Sequence, residues 1–315
     1  MIRPAGRGAR KPDTTLAKIH EDTAIARVAV ALIQGMRPKQ WLKNTLVVAA
    51  PLSAGTLLDP TIWGELALAF AMFCLAASGV YLLNDLLDVE SDRLHPDKKS
   101  RPIASGRLPV RVAWPASIIL LLVAAALPVV LGYSSLAAIV SIYIVLQVAY
   151  CIWLKHLAVI DLLVVSSGFL LRAIAGAAVI DVPLSQWFLL VMSFGSLFMV
   201  AGKRFSEKLH LAASGGATRR SLESYSLSYL RFVWSLSAGI ALVAYSLWAF
   251  EIGGSSAANL TTVSIVPFGA ALLRYAYSVD TGHAGAPEDT VLGDRQLLVL
   301  GVIWVLVFAA AVALR

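Results

Sequence analysis

The stretch Asn84-Asp85-Leu86-Leu87-Asp88-Val89-Glu90-Ser91-Asp92 sets four oxygen-bearing side chains at intervals of one, three and four residues. On a helix these intervals bring Asn84, Asp85, Asp88 and Asp92 onto adjoining turns of one face. Carboxylates stacked in this way repel one another unless a positive charge sits among them. A hard divalent cation fits, and Mg²⁺ typically binds through one or two carboxylates, water and substrate phosphate oxygens. The bland alternative is a solvated helix end that happens to be acidic. Against it, the segment grows out of an apolar run from Ile62 to Leu83 and leads into a basic loop, His95 to Arg107. Asn84, Asp85, Asp88 and Asp92 are therefore the candidate metal ligands, with Lys98, Lys99 and Arg101 placed to meet phosphate oxygens. Positive charge gathering in an inner loop is the competing explanation for those three.

Other polar residues fall at the ends of apolar runs. Lys39, Lys43 and Asn44 open the first of them beside Trp41, either as an interfacial anchor or to reach a phosphate. Tyr150, Lys155 and Asp161 mark an inner turn that would form the second half of one polar site, with His156 a bystander. Lys203 and Arg204 end a later run on the same side, with Glu207 near enough to orient them. Arg172 follows Asp161 by eleven residues, about 16 Å down a helix. An arginine at that depth faces the bundle interior and a partner, in a structural or a substrate-binding role.

The chain that must position these groups is 58% hydrophobic and only 14% charged. Ordinary soluble domains carry about a quarter charged residues, so the class is a polytopic membrane protein. Its net charge of +7 would suggest nucleic acid in a soluble protein. Here the basic residues belong to inner loops, and no nucleic-acid partner is expected. Cys74 and Cys151 lie in apolar runs and are expected to be small core hydrophobes. Nine apolar segments can be counted, at 41–58, 62–84, 112–131, 134–152, 157–179, 187–202, 228–250, 260–279 and 294–314. Most approach the ~20 residues that a bilayer core demands.

Lys and Arg concentrate in the N-terminal arm, in 89–111, at Lys155 and in 203–231, and are absent from the opposite connections. The expected fold is thus an all-α integral membrane protein of nine transmembrane helices, N-terminus cytoplasmic and C-terminus outside. Residues 1–27 read as a cytoplasmic basic arm without the apolar core of a signal peptide, and 28–315 as one membrane domain. Cap loops are expected at about 89–111 and 203–227, with a flexible tip at Ala212–Thr218. The chemistry then sits at the cytoplasmic face of the cell's inner (plasma) membrane. A transporter would more often carry paired broken helices and midplane charges, for which Arg172 alone is a candidate.

Asn84-Asp85-x-x-Asp88-x-x-x-Asp92, followed by Lys99-Ser100-Arg101-Pro102-Ile103 and Gly106, resembles the first aspartate-rich motif of the UbiA-type prenyltransferase superfamily. That resemblance implies a nine-helix bundle with a Mg²⁺-dependent site under a cytoplasmic cap. The second motif departs from the usual pattern, in which further aspartates help to hold an isoprenyl diphosphate. Here the corresponding stretch offers Asp161 with Tyr150 and Lys155. Arg37-Pro38-x-Gln40-Trp41-x-Lys43-Asn44, Gly202-Lys203-Arg204 and Ser221-Leu222-Glu223-Ser224-Tyr225 are instead similar to one actinobacterial branch, whose members move phosphoribose onto decaprenyl phosphate.

By that resemblance, the donor is 5-phosphoribosyl 1-diphosphate, the acceptor is decaprenyl phosphate and the product feeds cell-wall arabinan synthesis. Asp85, Asp88, Tyr150, Lys155 and Asp161 would serve catalysis. Lys39, Lys43, Asn44, Asn84, Lys98, Lys99, Arg101, Arg172, Lys203 and Arg204 would bind substrate. Membrane lipids surround the chain, and a homo-oligomer stays open. So do two other functions, aromatic prenyl transfer from an isoprenyl diphosphate and a non-catalytic polyprenyl lipid carrier.

Overall fold

A computed structural model describes residues 14–214, 224–251 and 258–313, and every regular element in it is helical. Six helices are long and apolar enough to cross a membrane. They are α3 (Trp63–Leu87, extended at its start by a short 3-10 turn from Pro60), α5 (Val110–Val130), α6 (Ser134–Ile152), α7 (Ile160–Val179), α8 (Gln186–Ser214) and α9 (Leu227–Glu251). Two more helices, α10 (Ala258–Asp280) and, after the short α11 (Pro287–Gly293), α12 (Arg295–Ala313), run through the eighth and ninth predicted spans. α10 carries Thr261, Ser264, Arg274 and Ser278, which lower its apolarity, and the apolar part of α12 is short, Arg295–Ala311. The chain is a multi-pass membrane protein. Its outward surface is accordingly apolar, with Leu122 and Val130 of α5, Val145 of α6 and Leu306 of α12 all exposed.

The first predicted span, 41–58, is a different object. Pro38–Val48 is a 3-10 helix, followed by the short α2 (Ala49–Ala54). Runs of 3-10 helix beyond three or four residues are uncommon, because their hydrogen bonds are poorly aligned, so tertiary contacts must hold this one. They do. Val47 packs so tightly on α7 that a Cβ at Gly176 would lie 1.7 Å from its carbonyl oxygen. Arg172 of α7 donates from Nε to Asn44 Oδ1 at 2.7 Å, from an Nη to Gly168 O at 2.5 Å and from the other to Tyr143 Oη at 3.2 Å. Its guanidinium also lies over the Phe73 and Tyr143 rings. Asn44 donates to Cys74 Sγ at 3.1 Å, so that cysteine is buried as expected and also accepts a bond.

The bundle has two main apolar centres. One joins α3, α5, α6 and α7 around Phe73, Leu136 and Val140, and the other joins α8, α9 and α10 around Phe198, Phe205 and Leu230. A smaller cluster ties α1 (Thr14–Met36) to α3 and α5 through Ala31, Leu82, Ile103 and Leu108. Of the proposed arm, residues 1–13 lie outside the described residues, and helix starts at Thr14. The second cap region is also more helical than expected, because α8 runs on to Ser214. Of the tip at Ala212–Thr218, the part from 215 on lies outside the described residues.

Candidate active site

The acidic motif is not one continuous helix. α3 stops at Leu87, Asp88 caps it with φ −96° and ψ 6°, and α4 (Val89–Leu94) follows. The hydrogen bond from Asp92 N to Asp88 O at 2.8 Å keeps the turn spacing across the break. Asp85 and Asp92 are buried, while Asp88 is partly open. Among the described residues, no hydrogen bond joins the side chain of Asn84 to the ion-pair network around them.

The basic loop closes over this wall. Gly106, at φ 78°, turns the chain so that Ile103 and Leu108 bury beneath it. Arg107 bonds back to Ser100 O at 2.8 Å and to Gln34 Oε1 at 2.7 Å. Arg101 Nη1 then reaches Asp85 Oδ1 at 3.0 Å and Asp92 Oδ2 at 2.6 Å. Lys98 Nζ stands 3.9 Å from Asp92 Oδ1, and Lys99 is exposed outside the network. From the other side, Arg37 donates to Asp85 Oδ1 at 2.6 Å and stacks over Tyr81. Arg37 has φ 54° and ψ 62° directly before Pro38, a conformation that non-glycine residues rarely take. Its ion pair with Asp85 helps to hold that turn.

The second half of the site faces the first. Lys155, in a 3-10 turn at Leu154–His156, places Nζ 2.7 Å from Asp88 Oδ1. Asp161 is fully buried at the start of α7 and accepts a hydrogen bond from the Tyr225 hydroxyl. The same hydroxyl accepts from Val159 N at 2.5 Å, fixing a β-branched residue at φ 72°. Burial, and then the bond to Asp161, raise the Tyr225 hydroxyl above the ordinary tyrosine range. The other Asp161 oxygen has no hydrogen bond and lies 3.7 Å from Arg204 Nε. Arg204 also donates to Tyr150 Oη at 3.3 Å and to Glu207 Oε2 at 3.1 Å, with Lys203 Nζ 3.9 Å from Oε1 of that glutamate.

Tyr150, Lys203 and Arg204 line a cavity of about 870 Å³, together with Lys39 and Lys43. The rest of its wall is mostly apolar, from Phe169, Met192 and Val191 to Trp248, Trp304 and Phe308. Asn44 and Arg172 do not reach it, since each is buried and bonded to the other. Arg37 and Tyr225, which the sequence offered only within longer motifs and without a site role, are also members. Their partners stand 48 and 64 residues away, and no local spacing signals such pairs.

The donor set suits Mg²⁺ in kind, being hard carboxylate oxygens on one wall. It also suits it in placement, since Asp85 and Asp92 lie close enough to share a single cationic nitrogen, Arg101 Nη1. Among the described residues, no three His, Cys, Asp or Glu side chains converge as a metal cage. Substrate oxygens would have to complete the shell.

The sequence profile of the UbiA prenyltransferase family matches residues 45–207. The chain belongs to the UbiA prenyltransferase family. UbiA-family relatives called decaprenyl-phosphate phosphoribosyltransferase are 49% identical in Mycobacterium tuberculosis (strain ATCC 25618 / H37Rv), over 91% of this chain and 96% of that one. The enzyme of that name from Corynebacterium glutamicum is 46% identical, over 90% of this chain and 87% of its own. A solved UbiA homologue from Archaeoglobus fulgidus, bound to DMAPP and Mg²⁺, has the same fold at TM-score 0.67 and 14% identity, covering 90% of this chain and 99% of its own. The UbiA homologue from Aeropyrum pernix K1 gives TM-score 0.57 at 13% identity, over 91% and 98%.

Proposed function

We propose that the chain transfers 5-phosphoribose from 5-phosphoribosyl 1-diphosphate to decaprenyl phosphate, releasing diphosphate. The observation that carries this reading is near-half identity, over nine-tenths of the chain, to decaprenyl-phosphate phosphoribosyltransferases. Two features of the structure support that reading. The cavity of about 870 Å³ suits a polyprenyl tail, with Lys39, Lys43 and Lys203 in its lining to meet the acceptor phosphate. The acidic wall beside it suits a diphosphate carried with Mg²⁺, which Asp85, Asp88 and Asp92 would hold. Bound there, the ion would neutralise the departing diphosphate.

In the reaction, the bond from ribose C1 to the diphosphate oxygen breaks and one from C1 to an acceptor phosphate oxygen forms. The acceptor is already an anion, so no strong general base is required. Arg37, Lys98, Arg101 and Lys155 surround the leaving group's place with fixed positive charge, which favours charge building there. Arg204, held against Tyr150 and Asp161, and Lys203 supply cations for the remaining phosphates. Asn44 and Arg172 act as positioning residues that hold the Pro38–Val48 segment, and thus Lys39 and Lys43, in place. Asn84 and Lys99 would come into play with substrate bound.

We place the site on the cytoplasmic face of the plasma membrane, within a nine-span bundle with its N-terminus inside and its C-terminus outside. The support is the concentration of Lys and Arg on that side. Residues 1–27 form a basic arm in this reading, and 28–315 one membrane domain with caps over the site. A direct test follows diphosphate release by purified protein in lipid nanodiscs. Release should require Mg²⁺, 5-phosphoribosyl 1-diphosphate and decaprenyl phosphate together. Release from an isoprenyl diphosphate and an aromatic acceptor alone would reverse the assignment.

A further inference from the structure

The point between Asp85 and Asp92 already holds a cation. Arg101 Nη1 lies 3.0 Å from Asp85 Oδ1 and 2.6 Å from Asp92 Oδ2, so one nitrogen bridges two buried carboxylates. We propose that Arg101 is a resident counter-ion that a divalent metal must displace, and that its displacement turns the guanidinium toward the anion arriving with the metal. This rests on reading Asp85 and Asp92 as metal-side ligands, as above.

Three features suit the exchange. The backbone on either side is anchored, because Ile103 and Leu108 are 1% and 0% exposed in the cluster shared with α1, α3 and α5. The loop therefore stays while the side chain moves, and the Arg101 side chain keeps 21% of its surface exposed. Second, Asp85 is not stripped when Arg101 leaves, since Arg37 remains 2.6 Å from the same oxygen. Third, a guanidinium is permanently charged and presents a planar fork that matches phosphate oxygens, so a displaced Arg101 is ready to bind them.

The consequence is a coupled entry. Metal alone must compete with a bridging ion pair, whereas metal carried in with a diphosphate gives Arg101 a new partner. The wall then binds free Mg²⁺ weakly and Mg²⁺ with diphosphate strongly.

The test uses full-length protein in nanodiscs with Mn²⁺ as the probe, followed by its electron paramagnetic resonance signal and without any substrate. Arg101→Gln should bind Mn²⁺ at least about tenfold more tightly than wild type, the equivalent of one charge-assisted hydrogen bond. Equal or weaker binding by the variant, or no binding by either protein, overturns the proposal. Because the variant can fail to fold, wild type supplies a second readout, phenylglyoxal labelling of Arg101 scored by mass spectrometry. Mg²⁺ alone should raise labelling, and Mg²⁺ with diphosphate should suppress it. Labelling that Mg²⁺ leaves unchanged or lowers contradicts the exchange. Neither measurement reads group transfer, so an error about the transferred group would leave both results standing.

Discussion

Lys155 Nζ lies 2.7 Å from Asp88 Oδ1, joining the turn between α6 and α7 to the break between α3 and α4 across 67 residues of chain. This contact links the two halves of the site. Both side chains are partly exposed, at 18% and 28%, so the pair contributes little to stability. Its importance lies in placing a cation and a carboxylate on the same substrate. Lys155→Ala should raise the KM for the sugar donor or lower kcat by roughly tenfold, while thermal unfolding in detergent stays near that of wild type. A large drop in melting temperature with unchanged kinetics would assign the pair to stability instead.

Arg172 should behave in the opposite way. It is buried, and among the described residues no carboxylate lies within ion-pair distance; its bonds go to Asn44, Gly168 and Tyr143. Arg172→Leu takes this donor from the buried Asn44 Oδ1 and Tyr143 Oη, while Gly168 O keeps its backbone bond within α7, a loss of about 1–3 kcal/mol for each buried group left without its partner. Gly176→Ala should be as damaging, because its Cβ would meet Val47 O at 1.7 Å and push the 3-10 segment off α7. Thermal unfolding and yield of folded protein measure both, and a Gly176→Ala protein of wild-type stability would refute the clamp.

Tyr225 gives a pH prediction. Burial and the bond to Asp161 raise its hydroxyl above the ordinary tyrosine range, so the folded state holds this proton more tightly than the unfolded one. The stabilising contribution is therefore complete below the unfolded value of about 10 and lost as pH rises above it. In an ultraviolet difference titration, Tyr225→Phe should remove a phenol that ionises above the ordinary tyrosine range. Removal of an early one would contradict the geometry.

The cavity can be filled from its own wall. Gly195 lines it, and a Cβ there meets nothing within 4 Å. Gly195→Trp should raise the KM for decaprenyl phosphate, with a far smaller effect on a short-chain polyprenyl phosphate or on the sugar donor. Equal effects on long and short acceptors would move the tail elsewhere.

Much of this organisation was legible in the residues. The apolar runs gave most of the helices, and the spacing of Asp85, Asp88 and Asp92 beside Arg101 marked the wall where the cations gather. Hydropathy could not tell a 3-10 segment from an α-helical span at 41–58, because what sets its geometry is Gly176 and Arg172, more than a hundred residues later. Likewise, Asn44 opens an apolar run among basic residues and looked open to substrate, yet its amide is bonded to Arg172 and Cys74. The spacing of the acidic motif predicted carboxylates waiting for an ion. It carried no sign that Arg37, Arg101 and Lys155 would already neutralise them, since those partners are set by packing.

The central claim concerns what is joined to what. Purified protein in nanodiscs, given 5-phosphoribosyl 1-diphosphate, decaprenyl phosphate and Mg²⁺, should convert the lipid to one species heavier by a phosphoribosyl group, as read by mass spectrometry. Dimethylallyl or geranyl diphosphate in place of the sugar donor should give no new lipid. An unmodified lipid with the sugar donor, together with prenylation of an aromatic acceptor by the isoprenyl diphosphate, would contradict the account.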